Sequence, residues 1–377
     1  LYMEDEWAID LNGQKIMVVI GEHIRFDTET KKNIDEFCET NNSIVYTNHL
    51  SNFNNRYSVN GNLLLCAMEN EIFEKYAPDI LITIGGQTGD YPLYNMISQG
   101  KFKNIEHWRV AEDGRIVDTY DKLTKVFKCS EKAFFKRLQR NRSSNHSYFD
   151  LWNRALKNIK LQMQLPFSNA SIAQYLCNKI PPNSIMQFSI LNSLRIWNFF
   201  PINPNIECFS NVGAFGIDGG MSTLIGQSVV SEKLSYMIIG DLAFLYDMNS
   251  ISIRHIKPNL RIILINNNGG IEFKYSKSDN DKMNKYIAAG NHFKNAQGWA
   301  ETCGFKYIKA DSMEEFIKNS KWLLEKSEKP ILFEAVVDDI DEAEAYEIII
   351  KNNKIMTAST MIKQELKAMV KDVLGKK

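Results

Sequence analysis

Two stretches decide the fold: SYMIIGDLAFLYDMN at residues 235–249 and LRIILINNNGG at residues 260–270. Each opens as an apolar, β-rich run, Ser235 to Ile239 in the first and Arg261 to Ile265 in the second. Each then breaks into small and polar residues, Gly240-Asp241 in one and Asn266-Asn267-Asn268-Gly269-Gly270 in the other. Short apolar runs bounded by turn formers fit strands buried on both faces, as in a parallel sheet. About two dozen residues separate the two strand ends, enough for one crossover helix carrying Phe244, Leu245, Met248 and Ile251, so the ends are expected side by side. Open α/β sheets bind ligands beyond the carboxyl ends of their strands. A carboxylate, an amide oxygen and a backbone carbonyl meeting there would form an all-oxygen site suited to Mg²⁺, which completes its octahedron with phosphate oxygens and water. Gly240 lets the backbone approach phosphates, and the N–H groups of Leu242 and Ala243 open the next helix toward them. The expectation is a Mg²⁺–diphosphate site.

Working outward, Asn183 to Gln187 and Ile206 to Ser210 read as short strands, with a helix from Leu191 to Phe199 between them. A glycine-dense loop, Gly213 to Gly220 (GAFGIDGG), feeds a helix from Met221 to Ser231. A helix from Met313 to Lys326 and a strand from Pro330 to Val336 follow the asparagine turn. In the first half, strands are expected at Lys15–Gly21, Ser43–Tyr46, Pro78–Gly86 and Ile105–Val110, with an amphipathic helix from Thr28 to Thr40. This alternation indicates α/β architecture in two doubly wound, parallel-sheet domains. The polar stretch Arg137 to His146 (RLQRNRSSNH) reads as a surface linker and places the boundary near residue 150, giving a Rossmann-like domain over 1–150 and a second domain over 151–377. Gly85, Gly86 and Gly89 follow a strand, but GGxTG lacks the dinucleotide spacing and an acidic partner, so they read as a tight strand-to-loop turn.

With 377 residues the chain exceeds one ordinary core. Its 45 basic residues balance 45 acidic ones, which leaves no overall field to attract nucleic acid or an anionic membrane. The longest apolar runs are strand-sized, far short of a membrane span. Glu4, Asp5 and Glu6 stand where a signal peptide needs basic and apolar residues. Cys38, Cys66, Cys129, Cys177, Cys208 and Cys303 form no CxxC pair and read as buried thiols of a reducing compartment, so a cytoplasmic location is expected.

Three motifs in order are similar to those of one family of thiamine diphosphate enzymes. A Gly-Asp followed after about 25 residues by Asn-Asn resembles the general thiamine diphosphate signature. The closer resemblance is to the MenD family, the 2-succinyl-5-enolpyruvyl-6-hydroxy-3-cyclohexene-1-carboxylate synthases of menaquinone synthesis. That family shows SNRGASGIDG, GDLSxLYDLN and NNNGG, which stand here as Ser210 to Gly219 (SNVGAFGIDG), Gly240 to Asn249 (GDLAFLYDMN) and Asn266 to Gly270. The resemblance is strong over 180–340 and weaker over 10–130, where Glu112 to Asp118 (EDGRIVD) is similar to a segment of the family's middle domain.

The resemblance implies thiamine diphosphate and Mg²⁺ as cofactors. Asp241, Asn267 and the carbonyl of Gly269 become the metal ligands, with Asn268 and Gly270 as the alternative register. Gly216, Ile217, Asp218, Gly240, Leu242, Ala243, Asn192 and Ser193 become cofactor contacts, Ile217 matching the bulky residue that keeps thiamine bent. It further implies a 2-oxo acid substrate, a homodimer or tetramer, and a pyrimidine-binding domain that carries the activating glutamate. No residue of this chain matches that domain, which points to a fragment or to a separate polypeptide.

Two departures bear on substrate. The arginine of SNRG is Val212 here, and the family's GNSLVVR segment aligns with Leu191-Asn192-Ser193-Leu194-Arg195-Ile196-Trp197, leaving tryptophan at the last position. Neither residue can clamp a carboxylate bidentately as arginine does. Arg195 lies two positions earlier, turned by about 200° on a helix. Ala243 also replaces the serine of GDLS. The expected reaction is decarboxylation of a 2-oxo acid, with carboligation to an acceptor or release of an aldehyde. The alternatives are the menaquinone synthase itself and a non-catalytic cofactor-binding or assembly subunit, and a nicotinamide-dependent enzyme built on Gly85–Gly89 ranks last.

The remaining candidates read as structural. His23, His49, His107, His146, His255 and His292 show no metal-ligand spacing, His255 being placed on the crossover helix. Asp339 to Glu344 (DIDEAE) lacks the pattern of an EF-hand and reads as a solvated charge run. Glu272 points toward the expected pocket or toward water. Phe244, Tyr246 and Met248 read as helix-face packing.

Overall fold

The computed structural model describes Trp7 and residues 9–98, 104–138, 145–214, 216–272 and 294–357. It contains two six-stranded sheets whose strands are all parallel. The first comprises β1 (Ile16–Ile20), β2 (Ser43–Tyr46), β3 (Ser58–Val59), β4 (Ile80–Ile84), β5 (Glu106–Val110) and β6 (Leu123–Phe127), in the order β3-β2-β1-β4-β5-β6. The second comprises β7 (Ile185–Phe188), β8 (Glu207–Ser210), β9 (Ser235–Gly240), β10 (Leu260–Asn266), β11 (Lys306–Ala310) and β12 (Ile331–Val336), in the order β11-β12-β10-β9-β7-β8.

The central strands carry apolar side chains on both faces because helices cover both. In β1, Ile16, Val18 and Ile20 enter one core and Met17 and Val19 another. In β10, Ile263 and Ile265 face one core, while Ile262 and Leu264 face the other. The expected helix over Thr28–Thr40 is present, capped by Asp27, whose carboxylate accepts from the N–H groups of Glu29 and Thr30. Three strands beyond the expected ones appear: β3, β6 and β11. β3 has two residues, and β6 (LTKVF) and β11 (KYIKA) mix lysine with apolar residues at sheet edges, where a continuous apolar run is not required. The helix expected over Met313–Lys326 breaks at Ser320 into Met313–Asn319 and Lys321–Leu324. Of the expected linker, residues 139–144 lie outside the described residues.

The helix Ser147–Lys157 inserts Tyr148 and Trp152 into the core beneath the first sheet. The chain also returns there after the long helix Asp339–Asn353, where Ile355 bridges Met68 and its N–H donates to Ala67 O at 2.9 Å. The two sheets are joined directly. Asn52 exchanges hydrogen bonds with the backbone of Cys208, giving 2.8 Å in each direction, as a neighbouring strand residue would. His49 donates its N–H to Asn198 Oδ1 at 3.1 Å, and its Nε2 meets Trp197 O at 2.8 Å. Burial pushes the His49 imidazole down to about 4, so it is neutral at pH 7.

The glycines after β4 serve packing. Gly21 donates to Ile84 O at 3.0 Å, Glu22 to Gln87 O at 3.0 Å and Gly86 to Glu22 O at 2.9 Å, which zips together the turns after β1 and β4. A Cβ on Gly21 would fall 1.8 Å from Gly86 O. The crevice where a dinucleotide phosphate would enter such a sheet is thus filled by backbone. Gly89 has φ +62°, and a Cβ there would lie 2.7 Å from Leu194 Cδ2 across the joint between the sheets.

Candidate functional site

The carboxyl ends of β9 and β10 lie side by side, with Gly240 opposite Ile265. Asp241 begins the helix Asp241–Asp247 and is 2 % exposed. Its Oδ1 accepts from Leu242 N at 2.7 Å, and its Oδ2 accepts from Gly269 N at 3.0 Å. The same Gly269 N–H also reaches Asn267 Oδ1 at 3.2 Å. The carboxylate and the amide oxygen therefore converge on one donor, which brings Asp241, Asn267 and Gly269 together. Asn268 takes the left-handed conformation at φ +60°, and its N–H donates to Asn266 Oδ1 at 3.1 Å. Asparagine tolerates that backbone better than most residues, which suits a triple asparagine at this turn.

The asparagine turn is held from below by Glu334 of β12, fully buried. Glu334 Oε1 accepts from Asn266 Nδ2 at 2.6 Å, and Oε2 accepts from Ala296 N at 2.8 Å and Tyr307 Oη at 2.9 Å. Sequence reasoning gave Glu334 no role, because a lone glutamate in an apolar strand belongs to no motif.

The glycine loop after β8 sits on the same sheet edge. Its Phe215 lies outside the described residues. Gly216 and Asp218 are exposed, and Ile217 is half-buried between the cores on the two faces of the second sheet. Gly219, at φ +78°, precedes the helix Gly220–Val229. That helix is tied to the Asp241 helix where Ser222 N donates to Asp247 Oδ2 at 2.8 Å. Leu242 is half-buried and Ala243 buried. A Cβ on Gly213 or Gly240 would meet nothing within 4 Å, so open space stands beside both backbones.

Asn192 and Ser193 begin the helix Asn192–Trp197 beyond β7. Asn192 Nδ2 lies 3.5 Å from Glu342 Oε2, and Glu342 Oε1 accepts from Asn169 N at 2.6 Å. Glu342 belongs to the acidic run expected to be solvated, yet it is 2 % exposed. Burial pushes its carboxyl up to about 7, against the pull of the Asn169 N–H and the Asn192 amide, and the charge of Asp241 adds to the rise. The signal was present in the helical period, since Glu342, Ala345 and Ile349 form one buried face. Three buried side-chain atoms on β7, on β8 and just beyond β7 have no protein partner: Gln187 Oε1, Ser210 Oγ and Asn192 Oδ1.

Glu272 does not stand free toward the pocket. It takes a bidentate pair from Arg195, with both N–O distances at 2.8 Å. Val212 and Trp197 are fully buried, and the Trp197 indole donates to Asn169 Oδ1 at 3.0 Å. Phe244 is buried and Met248 packs against the same core, both as expected, while Tyr246 is 72 % exposed. His255 sits in a turn after the short helix Met248–Ser252, not on a crossover helix, and His292 lies outside the described residues. Among the described residues, no three His, Cys, Asp or Glu side chains gather as a metal cluster. No described helix is long and apolar enough to cross a membrane.

This arrangement provides hard oxygen donors at the edge of a parallel sheet, open space beside glycine backbone, and orphaned polar atoms close by. The donor set fits Mg²⁺ bound together with a phosphate ligand. No family model matches the chain. Among curated proteins, it is similar to the 2-succinyl-5-enolpyruvyl-6-hydroxy-3-cyclohexene-1-carboxylate synthases of three bacteria. The similarity is 33 % identity over 251 residues to that of Phocaeicola vulgatus, covering 66 % of this chain and 44 % of the relative. It is 33 % over 277 residues to that of Bacteroides thetaiotaomicron, covering 72 % and 49 %. It is 29 % over 341 residues to that of Flavobacterium johnsoniae, covering 88 % and 61 %. The chain thus spans about half the length of the curated relatives it matches.

Proposed function

We propose, since the chain is MenD-like, that it carries the diphosphate- and Mg²⁺-binding part of a thiamine diphosphate-dependent enzyme acting on a 2-oxo acid. The observation that carries this reading is the convergence of Asp241 Oδ2 and Asn267 Oδ1 on Gly269 N. In this reading Asp241, Asn267 and the Gly269 carbonyl hold the metal. Asn267 is taken over Asn268 in this reading because its Oδ1 lies at the same N–H as Asp241 Oδ2. Ala243 would offer its backbone N–H to the diphosphate, with Gly240 leaving room for it, while Leu242, whose N–H is held by Asp241 Oδ1, would meet the cofactor beside it. Ile217, between Gly216 and Asp218, would contact the cofactor, and Asn192 and Ser193 would line the same edge beyond β7.

Thiamine diphosphate, when bound, supplies an electron sink for the carbon that loses its carboxylate. This chain's part is to fix the diphosphate and metal and to exclude water with the cores beneath β9 and β10. The division into a middle domain (1–150) and a diphosphate-binding domain (151–377), completion by a glutamate-bearing pyrimidine domain, assembly as a dimer or tetramer, and a cytoplasmic setting all belong to this proposal.

The substrate is proposed to differ from that of the menaquinone synthases. Val212 and Trp197 are sealed in the core, and the Arg195 guanidinium is engaged by Glu272. The synthase activity itself remains the second reading, on the names of the relatives. Assay of the natural gene product with 2-oxoglutarate and isochorismate separates the two, and efficient product formation would establish the second. The cofactor assignment is tested by Asp241→Ala. Calorimetry should show Mg²⁺-dependent thiamine diphosphate binding weakened at least about 100-fold, with the metal-free melting curve still cooperative. Retained binding would refute the metal assignment.

A further inference from the structure

Glu334 is placed to act on the asparagine turn through another side chain. Three donors converge on its two oxygens: the Asn266 amide, the Ala296 backbone and the Tyr307 hydroxyl. A carboxylate is the side chain suited to this position, because it accepts on both oxygens and donates on neither. Its bond to Asn266 Nδ2 fixes which way that amide faces. Asn266 Oδ1 is thereby aimed at Asn268 N, and the next N–H along, that of Gly269, reaches Asp241 and Asn267.

We propose that Glu334 is a positioning residue for the metal-binding turn, setting the Asn266 amide so that Asn267 and Gly269 face Asp241. The inference rests on the Mg²⁺ reading given above. Its chemistry is a matter of donor direction. A glutamine at 334 must turn an NH₂ toward Asn266 or toward Ala296 and Tyr307. In the first case the Asn266 amide rotates to accept from it and presents its own NH₂ to Asn268 N, a donor against a donor at the turn itself. In the second case the mismatch falls on the Ala296 side. The Tyr307 hydroxyl can turn to accept in the second case, so each orientation leaves one backbone N–H unmet, and the first puts that fault in the metal turn.

The test compares three variants of the full chain: Glu334→Gln, Asn266→Ala and Tyr307→Phe. Mg²⁺ is titrated calorimetrically at saturating thiamine diphosphate, and thermal melting is recorded without metal. Glu334→Gln and Asn266→Ala should each raise the Mg²⁺ dissociation constant about tenfold or more, as loss of outer-shell support typically does. Tyr307→Phe removes a hydrogen bond to the same carboxylate but leaves the Asn266 link. It should lower the melting temperature and leave Mg²⁺ affinity within about twofold, a split that a merely structural Glu334 would not produce. If Glu334→Gln fails to fold, Asn266→Ala against Tyr307→Phe decides the matter. Wild-type Mg²⁺ affinity in Asn266→Ala, or equal weakening in Tyr307→Phe, would overturn the inference. A wild-type chain with no Mg²⁺-dependent binding would instead remove the functional reading, and this inference with it.

Discussion

Glu342→Gln gives the most quantitative check on the buried polar chemistry beside the site. A carboxyl held at about 7, against the ordinary 4.5, binds its proton more tightly in the folded chain than in the unfolded one. The folded chain therefore takes up more protons between those two values, and stability falls as pH rises through that window. The favourable contribution of the protonated group is complete below about 4.5 and lost above about 7. Each factor of ten in proton affinity corresponds to about 1.4 kcal/mol, so the full swing is about 3 kcal/mol. Glutamine stays neutral throughout, its oxygen can keep the bond from Asn169 N, and its NH₂ can meet the orphaned Asn192 Oδ1. Urea melts of both proteins without metal, from pH 4 to 8.5, should coincide near pH 4 and diverge until glutamine is the more stable by about 3 kcal/mol at pH 8. Parallel profiles, or a glutamine variant less stable at pH 8, would refute the account. Because Asp241 adds to the rise of Glu342, Mg²⁺ held at Asp241 should lower the upper end of that window and so shrink the divergence.

Two further changes probe the joint and the charge pair. Gly89→Ala combines a left-handed backbone with a Cβ 2.7 Å from Leu194 and 3.0 Å from Val212. It should cost about 2–4 kcal/mol in denaturant unfolding, and an unchanged midpoint would mean that the joint yields freely. A double-mutant cycle on Arg195→Met and Glu272→Gln should give about 1–2 kcal/mol of coupling, limited by solvent on the glutamate side, with Glu272→Gln alone the costlier change because it removes the negative charge facing a guanidinium only 14 % exposed. Additive effects within about 0.3 kcal/mol would show that the pair contributes nothing.

The fold was readable where burial was symmetrical. β1, β9 and β10 are covered on both faces, so their sequences are continuous apolar runs, and Gly240-Asp241 and Asn266-Asn267 stand beside one another as parallel geometry requires. Edge strands were less readable: β8 stood out, but β3 has only two residues, and β6 and β11 interrupt their apolar residues with lysine. The candidate site divides in the same way. Asp241 and Gly269 were legible as a motif at the ends of two strands. Glu334 was not, since it owes its position to Ala296 and Asn266, far away in sequence, and although the helical period carried the burial of Glu342, nothing local marked its partners Asn169 and Asn192. Arg195 and Glu272 illustrate the same limit, because 77 positions separate two side chains that form one bidentate pair.

That division also explains why the cofactor assignment reaches further than the substrate assignment. A metal–diphosphate site asks for oxygen donors and bare backbone at two adjacent strand ends, and the sheet order itself delivers them. Recognition of a substrate asks for particular side chains, each of which can change without disturbing the sheet. On the proposed function Val212 and Trp197 would be such positions: both fill core volume, and the Trp197 indole bonds Asn169. An arginine at either position would bury a guanidinium among apolar groups unless a carboxylate came with it. Arg195 in this chain has such a carboxylate in Glu272. On the proposed function, a shared architecture and a different substrate are compatible in one chain, because β9 and β10 would carry the first, while residues such as 197, 212 and 272 would decide the second.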